Sequence, residues 1–537
     1  MKQQAKHIIF IAIVALMLVP ALEGFVSIFP EQDLHGDFEE LEKPYLSAEK
    51  WFEGSYQEEM VPYIEQHIGF HNSLVRLHNQ LDYSIFCKPS AEGVIKGKNG
   101  QLYEKDYIRA WAGKDFVGEA LLDKKLRQFG FLQQYLKDSL QIDLLLVLEP
   151  GKASVYPEDI PDRFAEEKAN PTNYEFILNR ARELDIKLID FNAYFVQIRD
   201  TVDYPLFPKY GTHWSEFAMW YAADSLIGYI EAIRGIDLPE VVIDSIEISD
   251  ELRSTDYDVG ATLNLISELP HEPMPYPHHS FPEPDSSKYK PMVLAVADSY
   301  YWNMYNTRIP KNLFSNEAFW YFYKMVYPDT WYNETFVTGI DLREEVEKQE
   351  VIMLMMTERF LYKFDRGFVD DLFAIYGKTS LYDSITHYKT SIVNLDSWFS
   401  DIIRKARRRN ITVGEMMEID ARYMLRLDDP EAFFSLYGPA AITQEIRDNE
   451  KWYESVRKNA LRKNISINEQ ILEEAAYVIN QQHPEALERY YRLSAAKDSI
   501  KTDSALSVHL QAAMKYYRMT EEEMLQVMAE EIAEAVE

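Results

Sequence analysis

Four short apolar runs constrain this chain more than any other feature: Asp143 to Leu148, Ile186 to Ile189, Met292 to Ala297 and Val351 to Met356. Near-continuous apolar runs of this length, bounded by turn-forming residues and separated by helical stretches, predict a central, mostly parallel sheet covered by helices on both faces. Ligands of such sheets bind beyond the carboxyl ends of the strands. The residues that follow each run therefore carry the functional information.

Composition narrows the class. Of 537 residues, 56 are Lys or Arg and 88 are Asp or Glu, a formal charge of −32 that excludes a general nucleic-acid binder. Apolar residues at 47% and aromatics at 14% provide ample surface for a packed core. Cys87 is the only cysteine, so neither an intramolecular disulfide nor a thiolate zinc cluster can form.

At the N-terminus, Lys2, Lys6 and His7 precede an uncharged run from Ile8 to Leu22, and only Glu23 interrupts apolar character as far as Phe29. At about 1.5 Å per helical residue the strict run spans roughly 23 Å, and its extension to Phe29 reaches the ~30 Å of a hydrocarbon core. The basic flank and the lack of a small-x-small cleavage site predict a retained signal anchor over residues 1–30, with the rest exported. Residues 31–90 read as mostly helical, with Tyr63, Ile64, His67 and Ile68 on one face. The Asn99-Gly100 pair between Val94-Ile95 and Leu102-Tyr103 predicts a hairpin.

Pro270, Pro273, Pro275, Pro277, Pro282, Pro284 and Pro291 mark 269–291 as an exposed loop without regular structure. It holds His271, His278 and His279, but no carboxylate spacing beside them supports a metal site, and no cofactor is expected. From residue 392 the pattern becomes charged amphipathic helices with a 54-residue repeat. Trp398, Ala406, Asn410, Thr412, Glu415, Ala421 and Tyr423 recur as Trp452, Ala460, Asn464, Ser466, Glu469, Ala475 and Tyr477, with a weaker third copy at Thr520, Glu523 and Ala529. Thr412, Ser466 and Thr520 each precede a glutamate by three residues, the capping-box spacing, so each unit reads as helix, turn, helix in an all-α region over 392–537. The basic run Arg404 to Arg409 reads as a solvated helix face, and the sequons at Asn410 and Asn464 as turn chemistry.

Three segments can carry chemistry. Asp298-Ser299-Tyr300 closes an apolar run, which places Ser299 on a sharp turn where a substrate reaches it. A serine hydroxyl needs a base, and His213 in Thr212-His213-Trp214-Ser215 stands just before an aromatic, alanine-rich helix that Ser215 is suited to cap. The third segment, Pro150-Gly151-Lys152 running to Tyr156-Pro157, follows the first strand, and Lys152 and Tyr156 can face the same cleft. Read separately, Asp298 and Ser299 serve equally as a helix cap, and His213 as a packed loop histidine.

In this order the pieces resemble the AlgX/AlgJ-type alginate O-acetyltransferase family, whose catalytic domain is SGNH-hydrolase-like. The resemblance runs over about residues 55–375, through His67-Ile68-Gly69-Phe70, the Val94 to Tyr103 hairpin, the Pro150 loop, Thr212-His213-Trp214 and Ala297-Asp298-Ser299. It implies an SGNH-like domain over 31–390, Ser299 as nucleophile and His213 as base, with Tyr300, Lys152, Tyr156 and Trp214 at the oxyanion or substrate. The family's histidine motif carries an aspartate where this chain has Gly211. Asp190, at the end of the second run, is the candidate replacement; a backbone carbonyl, weak activity or lost activity are the others.

The implied function is an exported, membrane-anchored O-acetyltransferase on the periplasmic or other extracytoplasmic side. It passes an acyl group from a membrane-bound O-acyltransferase partner through Ser299 to a cell-surface polysaccharide. A carbohydrate esterase with the same Ser-His site, and a catalytically silent glycan-binding scaffold, are the alternatives. The net charge of −32 repels a polyanion and favours a neutral or weakly charged acceptor unless local basic residues override it.

Overall fold

The computed structural model describes every residue except 1, 27, 37–38, 166–167, 169–170, 284–285 and 537. Ten strands are present among the described residues: β1 Val94–Lys96, β2 Leu102–Glu104, β3 Asp143–Glu149, β4 Leu188–Asp190, β5 Val242–Ser249, β6 Met274–Ser280, β7 Val293–Ala297, β8 Ala318–Tyr321, β9 Met325–Tyr327 and β10 Val351–Thr357. The predicted hairpin is β1–β2, antiparallel, with Asn99 and Gly100 both at positive φ in its turn.

The four apolar runs become β3, β4, β7 and β10 of a six-stranded sheet in the order β4-β3-β10-β7-β8-β9. All its neighbours are parallel except β8 and β9. β10 comes last in the chain yet lies between β3 and β7, so the connections diverge on either side of it, and the crevice at the carboxyl ends of these three strands is the topological switch point.

Side chains alternate between the two faces. Leu144, Leu146, Leu294, Val296, Ile352 and Leu354 join one buried cluster, and Leu145, Val147, Ala295, Ala297, Met353 and Met355 join the other. This two-residue alternation is the strand period, and it explains why the runs are apolar throughout: both faces are covered. Helix Glu216–Arg234 packs in the second cluster, and helices Glu119–Leu140 and Phe368–Tyr376 in the first.

The first cluster continues without a break into the C-terminal helices. Helices Asp396–Arg409 and Val413–Asp428 are followed by Glu450–Lys463 and Ile467–Gln482, then by Ser504–Tyr517 and Glu521–Val536. Thr412 and Glu415 form a reciprocal capping box, Ser466 accepts the Glu469 amide at 3.1 Å, and Thr520 the Glu523 amide at 3.3 Å. Asn410, Asn464 and Arg518 end the first helix of each pair in the left-handed conformation, with φ of 53°, 54° and 53°. The third pair returns to the sheet domain. Phe131 meets the rings of Tyr516 and Tyr517, and Arg127 pairs with Glu523 at 2.7 Å.

Helix Lys2–Val26 is long and apolar enough over Gln4–Gly24 to cross a membrane, and the stretch is exposed except near its end, where Glu23 is buried. Its end rests on the junction between helices Ser55–His67 and His71–Phe86. The Gly69 amide donates to the Pro20 carbonyl at 3.0 Å, and a Cβ at Gly69 would strike Glu23 and Gly24.

The expectation of an irregular loop over 269–291 is corrected. Met274–Ser280 is β6, paired antiparallel with β5, although it contains Pro275 and Pro277. A two-stranded ribbon tolerates proline because each strand needs hydrogen bonds on one side only. His278 lies 3.0 Å from Glu247, and His279 3.1 Å from the Thr307 carbonyl. Pro284 lies outside the described residues.

Candidate active site

The β7 strand ends at Ala297, and the chain turns at Asp298 and Ser299 into the short helix Tyr301–Asn306. Asp298 is fully buried and holds this turn in shape. Its carboxylate accepts the Tyr300 amide at 3.0 Å, the Thr357 amide at 2.8 Å and the Thr357 hydroxyl at 2.5 Å. Beside it, at the end of β3, Glu149 is also fully buried, and burial together with the Asp298 charge pushes its carboxyl well above the ordinary range. A carboxyl this deep, next to a second carboxylate, is favoured in its protonated form, so burial keeps Glu149 neutral.

Ser299 stands above this pair, half-buried, and its Oγ lies 2.8 Å from Nε2 of His213. That is the hydrogen-bond distance that a nucleophile and a general base require. His213 is 9% exposed and sits in the loop before helix Glu216–Arg234, which Ser215 caps by accepting the Ala218 amide. On its other side, Nδ1 is 3.4 Å from Oδ2 of Asp258. This is long for a hydrogen bond, and buried Nδ1 has no other partner, yet the carboxylate stands where it attracts the imidazolium that forms when Nε2 takes a proton. Asp258 is fixed through its second oxygen, which accepts the amides of Thr212 at 2.9 Å and Val259 at 2.7 Å.

Gly211 now has a physical reason. A Cβ there would run into the carbonyl oxygens of Thr255 and Asp256 and the ring of Pro208. The turn that brings Asp258 to the imidazole thus fills the space an aspartate side chain at 211 needs. Asp190 does not serve. It caps helix Phe191–Ile198 by accepting the Ala193 amide and takes the Tyr174 hydroxyl at 3.0 Å. It lies at the end of β4, three strands from β7, and at ~4.8 Å per strand that is about 14 Å away.

The four expected substrate-side residues are also corrected. Tyr300 is fully buried, and its hydroxyl is shared between Tyr107 at 2.5 Å and the Thr212 carbonyl at 3.0 Å, so it is not free to stabilise an oxyanion. Trp214 is fully buried between Tyr300 and Phe195. Tyr156 packs on Phe207, and its hydroxyl accepts the Leu206 amide at 3.2 Å. Lys152 is 1% exposed, and its ammonium reaches the carbonyls of Leu102, Pro208, Lys209 and Gly211 at 2.8 to 3.0 Å, while burial pushes its pKa down to about 7. It ties the loop before His213 to the hairpin. These side chains build the site without lining it.

A cleft of about 950 Å³ does reach the site, lined by His213, Asp258, Glu104 and Arg359 and walled by Leu34, His35 and Gly36. Arg359 pairs with Glu104, which also accepts the Thr212 hydroxyl. Farther along the strand ends, the half-buried rings of Phe322 and Phe360 flank the Arg366 guanidinium at 4.1 and 5.2 Å, and the Phe322 amide donates to the Ala297 carbonyl at 2.8 Å.

Comparison with known proteins gives one match to a family model, over part of the chain. Residues 94–255 match the model of the SGNH hydrolase-like domain of acetyltransferase AlgX. This segment of the chain is AlgX-like. The match takes in the hairpin, the Lys152 loop and His213, and stops before Asp258 and Ser299. No curated protein matches the chain. Among solved structures, the O-acetyltransferase domain of Pseudomonas putida AlgJ is 19% identical over 52% of this chain and 98% of its own, with a TM-score of 0.36. Pseudomonas aeruginosa AlgX is 13% identical over 53% of this chain and 69% of its own, at 0.35. Bacillus cereus PatB1 is 12% identical over 50% of this chain and 96% of its own, at 0.29.

Asp258 is the residue of the candidate site that sequence reasoning missed. It is carried at the start of helix Asp258–Thr262, and the turn before it is held by β6, since Tyr276 donates to Asp256 at 2.6 Å and accepts the Arg253 amide at 3.0 Å. A segment read as loop gave no reason to look there. The only local signal was a carboxylate in Asp256-Tyr257-Asp258, within a chain rich in them.

Proposed function

We propose that this chain is an exported, membrane-anchored O-acyltransferase that carries an acyl group on Ser299 and delivers it to a hydroxyl of a cell-surface polysaccharide. The observation that carries this reading is the 2.8 Å contact between Ser299 Oγ and His213 Nε2, with Asp258 behind the imidazole. The AlgX acetyltransferase match over 94–255 favours acetyl as the group.

In the first half-reaction Oγ attacks the donor's acyl carbonyl while its proton passes to Nε2; the donor's leaving oxygen or sulfur then takes that proton as its bond to the acyl carbon breaks. In the second half, a sugar hydroxyl gives its proton to Nε2 and attacks the acyl-serine; Oγ leaves and regains the proton. Asp258 stabilises the imidazolium in both halves. The half-buried rings of Phe322 and Phe360 suit stacking on a sugar ring and exclusion of water, which favours transfer over hydrolysis. The apolar helix Lys2–Val26 supplies the tether, and a membrane-bound O-acyltransferase is the donor partner that the reading calls for.

Incubation with an activated acetyl ester, followed by peptide mapping, tests the reading. Acetyl on the Ser299 peptide in the wild type and none in Ser299→Ala is expected; no acetylation, or acetylation elsewhere, overturns it. Acetate release without transfer to any oligosaccharide makes the enzyme an esterase. Polymer acetylation that survives Ser299→Ala but not deletion of 392–537 makes it a scaffold.

A further inference from the structure

The carboxylate behind His213 stands on a helix of five residues, Asp258–Thr262, too short to hold itself in place. Its far end is gripped by parts of the chain that lie near the N-terminus. Asn264 is buried and adopts φ of 47°. Its side chain accepts the His35 amide at 2.7 Å and donates to the His35 carbonyl at 2.8 Å, so both sides of one backbone unit are locked to it. Arg76 of helix His71–Phe86 donates to the Leu265 carbonyl at 3.0 Å and the Asp33 carbonyl at 2.8 Å, and Asn79 donates to the Leu263 carbonyl at 2.9 Å. Leu263 is buried with Tyr83, Leu102, Tyr210 and Val259. The strap at 33–35 starts a few residues after helix Lys2–Val26, and Leu34, His35 and Gly36 wall the cleft that holds His213.

We propose that Asn264 is a positioning residue: by clasping His35 it seats helix Asp258–Thr262 so that Asp258 faces His213, which makes the strap after the apolar helix a working part of the catalytic site. A left-handed backbone at an asparagine is tolerated locally; here the side-chain amide also reaches the Thr262 carbonyl at 3.3 Å, so one group ties the end of helix Asp258–Thr262 to the strap at His35. The inference rests on the acyl-Ser299 reading for its kinetic readout, and on the fold alone for its second.

The test is a double-mutant cycle in the full-length chain. Asn264→Ala is expected to lower the rate of Ser299 acetylation about 10- to 100-fold with the acceptor KM unchanged, as a small displacement of a catalytic group does. In an Asp258→Asn background the same substitution is expected to add less than about a twofold further loss, because both changes remove one function. Additive losses, or no loss from Asn264→Ala alone, overturn the proposal. Arg76→Ala loosens the strap from the outside and serves if Asn264→Ala fails to fold; the same non-additivity is expected. Hydrogen exchange supplies the readout that needs no activity. The Thr212 and Val259 amides, which donate to Asp258, are expected to lose protection in either variant, and unchanged protection overturns the proposal even if Ser299 is never acylated.

Discussion

The C-terminal helix pairs and the catalytic end of the sheet are built by opposite rules. In the helix pairs the contacts that shape each turn are short-range, although the third pair also reaches back to the sheet domain through Glu523. Thr412 caps with Glu415, Asn410 ends a helix in place, and the Trp398 indole donates to Asp420 at 3.2 Å as Trp452 does to Glu474 at 3.1 Å, 22 residues on in both cases. At the catalytic end the contacts that matter cross long stretches of chain. Ser299 meets His213, Lys152 holds the carbonyls of residues 102, 208, 209 and 211, and Asn264 holds residue 35. Damage to a local contact therefore costs one helix end, whereas damage to a crossing contact costs the site.

The largest effect expected from this contrast is at Asp258. Asp258→Asn keeps the shape but removes the charge facing Nδ1, and acyl transfer is expected to fall about 10²- to 10⁴-fold with little change in melting temperature. Asp190→Asn, in initial-rate assays run alongside, should stay within about threefold of wild type. Comparable losses in the two variants would erase the distinction between the orienting carboxylate and a helix cap.

Next is Lys152→Met. It takes the ammonium from the carbonyls of Leu102, Pro208 and Gly211, while the Lys209 carbonyl keeps the Leu102 amide at 3.0 Å, and a loss of about 3–5 kcal/mol in urea unfolding is expected, with activity falling as the His213 loop loosens. A variant that unfolds like wild type would show that the loop does not depend on this crossing contact.

Glu358 offers a pH test of the same region. Its carboxyl is 5% exposed, accepts the Ser154 hydroxyl at 2.8 Å, and is pushed up by burial to about 7. The folded pKa is raised, so the stability it contributes is full below about 4.5 and is lost as pH rises through 7, up to roughly 3 kcal/mol. Glu358→Gln cannot ionise, and its unfolding free energy is expected to fall less than that of wild type between pH 4.5 and 8. Parallel pH curves for the two proteins would refute a neutral Glu358.

The smallest effect belongs to the local region. Thr412→Ala removes one cap and is expected to cost about 1 kcal/mol in thermal unfolding while leaving acyl transfer untouched. Any loss of activity from this substitution would mean that the helix pairs and the site are coupled more tightly than their contacts suggest.

The sequence by itself determined what depends on near neighbours or on repeated pattern. The buried strands β3, β7 and β10 were legible because a strand covered on both faces must be apolar throughout, and the Asn99-Gly100 turn and the cap at Thr412 because each acts within a few residues. The serine and the histidine were legible as candidates, since both stand where an element begins or ends. Only the tertiary structure decided the roles around them. It buried Lys152, Trp214 and Tyr300 as supports and sent Asp190 to a helix cap three strands away. It also put Asp258 behind His213 by way of a proline-bearing ribbon that no period announces. Which carboxylate reaches an imidazole is a matter of distance in space, and distance between residues far apart along a chain is fixed only when the chain has folded.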